Sequence, residues 1–484
     1  MSLSTALSIA QNALLATSRR TSVVSQNITN ADNADYSRRS AVLTSTDTGV
    51  RVSTIQRAAN AALEKQNLSA LSQWEGQQSL LSKLNDLALG VNGSDNASSA
   101  ATALGDLQEA LQLYATTPSS ANLAEGALNA ARQVVRSLNE GSAQIQSFRA
   151  AADAEIGAAV DDLNKLLADF ETANKAVIAA TSTGRDANTA MDQRNALLRQ
   201  IAQYVPISTF TRANSDMVIT TADGSTLFET VAREVSFEPT TVYGAGIEGN
   251  AVYIDSVPLS SADSMSAISG KLGSLVKLRD DVAVTFQSQL DEIARGTIQA
   301  FAETDQSGGG ASALAGLFTW SGGPALPAAG SASTGLAADI SVNAAFDSDR
   351  GGDPTLLRDG GANGAAYRAN SAGASYSALL IRYGDAVDQD MNFDAGAGIA
   401  TSVSLSEFTA NSVGWIEGLR QNASRAELTS SAMLTRTQEA LSSETGVNVD
   451  IEMTLLLDLE HAYEASARIL RTVDEMLGTL LDMA

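Results

Sequence analysis

Apolar residues recur at alternating steps of three and four along the last stretch of the chain, residues 443–484. Leu456, Leu459, Tyr463, Ser466, Leu470, Val473, Leu477 and Leu480 form this seam, and only Ser466 interrupts its apolar character. A stripe so narrow predicts a helix that packs against partner helices, because a helix sunk in a large core needs a wider apolar face. Glu444, Asp450, Glu452, Asp458, Glu460, Glu464, Asp474, Glu475 and Asp482 are expected off the seam. The first thirty residues repeat the pattern more weakly through Leu3, Leu7, Ala10, Leu14, Thr17, Thr21, Val24 and Ile28. From Asn27 to Asp35, Asn and Asp side chains compete for backbone hydrogen bonds, which predicts that this helix ends near Asn27 to Asn30. Both seams require a partner, in cis or in trans.

Between the ends, residues 58–89, 101–115, 122–177 and 187–204 carry apolar positions at helical spacing, with breaks at 90–99, Pro118 and Pro206. Residues 41–55 alternate Val, Leu, Thr and Ser and predict a short extended arm. The period then changes: 218–221, 231–237, 242–243 and 252–254 are β-branched or aromatic runs parted by turn pairs such as Asp223-Gly224. Helix returns over 265–303, with Leu272, Leu275, Leu278, Val282, Phe286, Leu290 and Ile293 on one face. Residues 305–364 are rich in Gly, Ala and Ser and contain one predicted strand, 339–342. Helices resume from Ala374, interrupted at 393–404. The expected fold is α+β, mainly α. The terminal helices (1–40 and 443–484) pair as a coiled coil beside a long-helix bundle body (41–205, 265–304 and 370–442). A β-rich insertion (206–264) and a variable outer segment (305–369) complete it.

Charge sharpens the picture of the ends. Residues 1–60 hold six arginines against three aspartates, a net +3, and 444–484 hold two arginines against nine acids, a net −7. Opposite charge predicts that the two seams lie near each other. Over 484 residues the formal charge is −24, which argues against nucleic acid and against an anionic membrane surface. Cysteine is absent, so disulfides, thiolate metal sites and cysteine nucleophiles are excluded together. No cleavable signal peptide and no membrane span is visible, which alone predicts a cytoplasmic protein.

Catalytic constellations are scarce. His461 is the only histidine and falls inside the terminal helix, so neither a hydrolytic triad nor a histidine zinc site has its ligands. Gly244 to Gly249 matches G-x-G-x-x-G, yet a strand follows where a nucleotide site needs a helix N-terminus, so a hairpin loop is expected. Neither aspartate-rich run, 347–353 or 385–394, combines the sixth-position glycine with the twelfth-position glutamate of a calcium loop, and both are expected to be solvated loops.

The run Ser25-Gln26-Asn27-Ile28-Thr29-Asn30, continuing to Tyr36-Ser37-Arg38, resembles the signature of flagellar rod, hook and hook-associated proteins. There a helix ends in Asn-Ile-x-Asn and a Thr-Pro-Gly-Tyr-Ser-Arg-like turn follows. Asn27, Ile28, Asn30, Tyr36, Ser37 and Arg38 match, whereas Asn33, Ala34 and Asp35 stand where Thr, Pro and Gly are usual. Residues 443–449 and the segment from Glu460 to Arg468 are similar to that family's closing helix, with Ser466 in place of Asn. Internally, the segment from Met191 to Leu197 and the segment from Gly270 to Leu275 resemble hook-associated members of the hook–filament junction.

The resemblance implies a structural junction adaptor with no cofactor and no catalytic site. It implies export as an unfolded chain through the flagellar type III apparatus, which replaces the cytoplasmic expectation with an extracellular one. The assembly interface it implies comprises Leu3, Leu7, Leu14, Val24, Asn27, Ile28, Asn30, Tyr36 and Arg38 with Leu456, Leu459, Tyr463, Leu470, Val473, Leu477 and Leu480. The implied partners are neighbouring copies, the hook protein, the second hook–filament junction protein, and a cytoplasmic export chaperone on the C-terminal helix. Nucleic acid and membrane insertion are not implied. Within the family the alternative is a hook or rod subunit or the second junction protein; outside it, a secreted carboxylate-dependent hydrolase.

Overall fold

A computed structural model describes residues 3–47, 49–258, 270–328 and 333–483, without the side chains of Leu480 and Leu481. The chain opens with α1 (Leu3–Thr29), then a hairpin of β1 (Arg39–Thr46) and β2 (Gly49–Arg57) with Arg39 opposite Arg57. The predicted extended arm is therefore a two-stranded hairpin. Gly49, at φ 109°, starts the return strand in a conformation that favours glycine. Three helices follow: α2 (Ala61–Asn92), α3 (Ala100–Thr116) and α4 (Ala121–Ser182). Asn60, Ser99 and Ser120 cap their N-termini by accepting from the amides of Leu63, Thr102 and Leu123. α4 has 62 residues, and at 1.5 Å per residue it spans about 93 Å. α5 (Asn188–Tyr204) runs back along it.

The β-rich region holds β3 (Ile207–Thr211), β4 (Met217–Thr221), β5 (Thr226–Glu229) and β6 (Val231–Ala232) in one antiparallel sheet, in that order. β7 (Val235–Ser236), β8 (Tyr253–Ile254) and β9 (Val257–Pro258) form a second. β3 was not foreseen, and Val242-Tyr243 lies in the loop between β7 and β8 rather than in a strand. Gly244 to Gly249 lies in the same loop, as expected. The predicted helix start at Met265 falls outside the described residues. Helix is seen from α6 (Lys271–Lys277) through a π-helical stretch (Leu278–Val282) into α7 (Ala283–Ala300).

Next come β10 (Phe318–Thr319), α8 (Leu336–Asp339), β11 (Ser341–Val342) and α9 (Leu356–Asp359). Asp339, expected in a strand, ends the α8 turn instead. Much of this segment, expected to be outer, lies inside: Leu317, Phe318, Leu336, Ile340, Phe346 and Leu357 are fully buried in the core that α4 and α7 also line. Asp347 is likewise not solvated, because it is buried beneath Arg132, whose Nη2 donates to it at 2.5 Å. The chain closes with α10 (Ala378–Ala386), β12 (Asp390–Asn392), β13 (Ser402–Ser404), α11 (Leu405–Thr445) and α12 (Val449–Asp482).

Two hydrophobic cores share the long helices. One gathers the C-terminal half of α2, α3, α4 up to Ile145, α7, α10, the 315–357 segment and the start of α11. The other gathers the N-terminal half of α2, α4 from Ile156, α5, α6, the β-rich region and Leu434 of α11. The sequence predicts one helical body with a β insertion. The structure makes the insertion part of one core and divides the body along α2, α4 and α11.

Candidate assembly interface

α1 ends where α12 begins and the two pack along their lengths, so they form an antiparallel pair. Ala10, Thr17 and Val24 of α1 are buried, and so are Leu459 and Val473 of α12. Leu3, Leu7, Leu14 and Ile28, and Leu456, Leu470 and Leu477, are half-buried along the same contact. Tyr463 lies at a seam position but is 47% exposed. The side chain of Leu480 lies outside the described residues.

Glu452 departs from its expected place off the seam. It lies four residues before Leu456 on the same face and is buried, with Oε2 accepting no hydrogen bond. Its position in the first turn, where backbone amides point outward, favours a carboxylate there. Opposite charge is not what joins the two helices. Among the described residues no ion pair joins α1 to α12, so apolar burial holds the pair together.

The turn after α1 is clamped by one side chain. Asn27 is buried; its Nδ2 donates to Arg39 O (2.9 Å), and its Oδ1 accepts from Tyr36 Oη (2.8 Å) and Arg39 N (3.0 Å). Asn30 Nδ2 donates to Gln26 O, closing the helix. Asn33 Oδ1 accepts from the amide of Asp35, which makes the bend without the usual Pro-Gly. Arg39 lies over the Tyr36 ring, 4.8 Å from its centroid. Burial raises the Tyr36 hydroxyl pKa above its ordinary value; Arg39 opposes this, and Asp192 and Glu452 add to it. The Arg38 amide donates to Thr445 O at the α11–α12 elbow, while its side chain is exposed.

Replacing Asn27 by Ala leaves the Arg39 amide and carbonyl and the Tyr36 hydroxyl without their partner. The expected cost is about 2–3 kcal/mol locally, read as faster amide hydrogen exchange across residues 30–39.

Asp192 fastens this terminal unit to the body. It accepts from Arg39 Nη2 (3.1 Å) and Arg57 Nε (2.7 Å), one arginine from each hairpin strand. Asn188 Nδ2 also reaches Ile55 O, and Asp35 pairs with Arg199. Two residues on, Arg194 is buried and donates to Asn174 Oδ1 and Ser215 O, and burial pulls its pKa down to about 10. Sequence reasoning noted Asp192 and Arg194 only as parts of a resembling segment. The arginine pair Arg39 and Arg57, facing each other across a hairpin, was the signal available for a carboxylate partner.

Outside the pair, α12 exposes Ile451, Met453, Leu457, Ile469 and Met476. Polar crevices flank the 30–38 turn, lined among others by Asp35, Tyr36, Glu64 and Arg199. His461 is exposed on α12, and among the described residues no group of three or more His, Cys, Asp or Glu is placed to hold a metal. No helix of the described residues is long and apolar enough to cross a membrane. The arrangement offers surfaces for helix packing.

Comparison with known proteins agrees with this architecture. The flagellar hook-associated protein FlgK helical domain matches residues 81–317, and the flagellar basal body rod FlgEFG protein C-terminal region matches 437–483. Flagellar hook-associated protein 1 of Bacillus subtilis is 22% identical over 98% of this chain and 97% of its own length. Its Escherichia coli counterpart is 22% identical over 63% of this chain and 58% of its own. In fold, the flagellar hook junction protein FlgK from Burkholderia pseudomallei superposes with a TM-score of 0.57 at 11% identity, over 78% of this chain and all of that one.

Proposed function

The chain belongs to the flagellar hook-associated protein family, and from that premise we propose that it is the structural adaptor joining hook to filament. In this reading the unfolded chain leaves the cell through the flagellar type III apparatus and is assembled through its terminal helices. Neighbouring copies, the hook protein and the second junction protein are its partners outside the cell. A cytoplasmic chaperone holds the C-terminal helix before export. The observation that carries the reading is the construction of the ends. Among the described residues α1 and α12 contribute to neither hydrophobic core, pair with each other, and leave apolar side chains of α12 in solvent. Apolar area left this way gains about 25 cal/mol per Å² when a partner covers it.

The same reading separates this chain from a hook or rod subunit by position. A fluorescent label on a surface loop of this chain is expected to mark the boundary between hook and filament on each flagellum. Label running along the hook, or confined to the rod within the envelope, would transfer the assignment to those subunits.

A further inference from the structure

α12 carries a second stripe that its pairing with α1 leaves uncovered. Ile451, Leu455, Asp458, Ala462, Ile469 and Met476 are spaced at helical intervals, roughly a quarter-turn around from the seam that faces α1, and all but the half-buried Leu455 are exposed. Ile451, Ile469 and Met476 are each more than half exposed. Asp458 is the only charge in the stripe; it is exposed and has no hydrogen-bond or ion-pair partner among the described residues. A single charge inside an apolar seam costs stability and selects a partner that can neutralise it.

The outward face of α1 has the complementary features. It is made of small polar residues with one large apolar exception, Leu15, 62% exposed. One helical turn on, Arg19 is exposed and also has no partner among the described residues. α1 has no acidic residue, while α12 has eight acids against two arginines. Two α12 stripes meeting would set Asp458 against Asp458, and two α1 faces would set Arg19 against Arg19. Only contact between α1 and α12 joins opposite charges, and each helix already uses its other face within its own chain. The partner is therefore a second copy, and the contact is heterologous, so it propagates from copy to copy rather than closing as a dimer.

We propose that Arg19 of one copy pairs with Asp458 of the next, with Leu15 seated against Leu455 and Ala462, and that this charge pair fixes the register of the assembled helices. The proposal rests on the self-assembly reading above and specifies its contact.

The chain has no cysteine, so introduced thiols report cleanly. Flagella from cells carrying only the Leu15→Cys, Ala462→Cys double variant, which keeps both charges, treated with a short bis-maleimide, are expected to give a ladder of dimers, trimers and higher multimers. The Ala462→Cys single variant should stay monomeric; a dimer from it would mean an isologous contact and overturn the proposal. Arg19→Asp or Asp458→Arg alone should lower the number of filament-bearing cells about tenfold or more, the equivalent of one lost pair worth about 1.4 kcal/mol. Combining them should restore it. If deleting residues 456–484 leaves filaments attached, the assembly reading itself fails. If that deletion removes filaments while both charge variants behave as the parent and no ladder forms, the register proposal alone is wrong.

Discussion

Deletion of residues 456–484 is expected to abolish filament attachment and leave the body of the protein folded. Among the described residues neither hydrophobic core contains any of α1 or α12, so removing most of α12 takes nothing from either. What is lost is the partner of Ala10, Thr17 and Val24, together with the half-buried Leu3, Leu7 and Leu14. α1 keeps its other contact, with the β1–β2 hairpin that lies beside it from Asn27 to Ile9, so only its first turns should fray into coil. The hairpin should hold, because Arg39 and Arg57 remain tied to Asp192. Far-ultraviolet circular dichroism should thus lose mainly the signal of α12, while the main calorimetric transition shifts by only a few degrees. Flagella counted by electron microscopy should end at the hook. A body that melted with the deletion would show that the cores lean on α12, and attached filaments would show that the helix is not the assembly element.

How much of this was legible beforehand depends on whether the controlling contacts are local. The terminal helices were readable because a three-four seam and an Asn-rich stop are properties of adjacent residues. Their pairing was inferred correctly, but on a charge argument the structure does not bear out, since the contact is apolar. The division into two cores could not be read, because α2 and α4 run through both and their apolar period continues across the border. β3 escaped notice as five residues, Ile-Ser-Thr-Phe-Thr, whose partner β4 identifies them only in space. The 305–369 segment reads as a variable outer segment because its many small residues hide the few that matter, Leu317, Phe318, Ile340 and Phe346.

Within the candidate interface the same division holds. Asn27 and Tyr36 stood out by resemblance, and the structure supplies their mechanism as a local clamp. Glu452 was assigned by its charge to the solvent side, whereas its spacing from Leu456 places it on the buried face. Asp192 depends on arginines more than 130 positions away. The pairing of Arg39 with Arg57 across the hairpin calls for a carboxylate, but nothing along the chain says which one.

Arg279→Ala is expected to cost about 3–5 kcal/mol, the range for breaking a buried ion pair by removing one partner. Arg279 lies in the π-helical stretch between α6 and α7, at the border of the two cores, and its side chain is fully buried. Nη1 donates to Asp153 at 2.6 Å, Nη2 to Asp280 and to Asn250 O, and the guanidinium lies over the Phe237 ring. Burial pushes its pKa down, but Asp280 and Asp153 outweigh that and hold it above its ordinary value. Asp153 sits on α4 between Ile145, the last residue of one core, and Ile156, the first of the other. It also accepts from the Thr240 amide and the Tyr243 hydroxyl, while Arg149 reaches Arg279 O, Gly244 O and Ile247 O. A Cβ on Gly249 would lie 2.5 Å from the Arg279 guanidinium carbon. The glycine-rich loop is therefore shaped to seat arginines. Without Arg279, Asp153 keeps two donors but loses its cation, and the 235–258 loop system loses its tie to the π-helical stretch. Urea unfolding should show the loss, with hydrogen exchange rising first in 235–258. Asp153→Ala in the same background should add less than it costs alone, because the two residues share one interaction. A loss under about 1 kcal/mol, the level of an exposed pair, would mean that apolar packing alone joins the two cores.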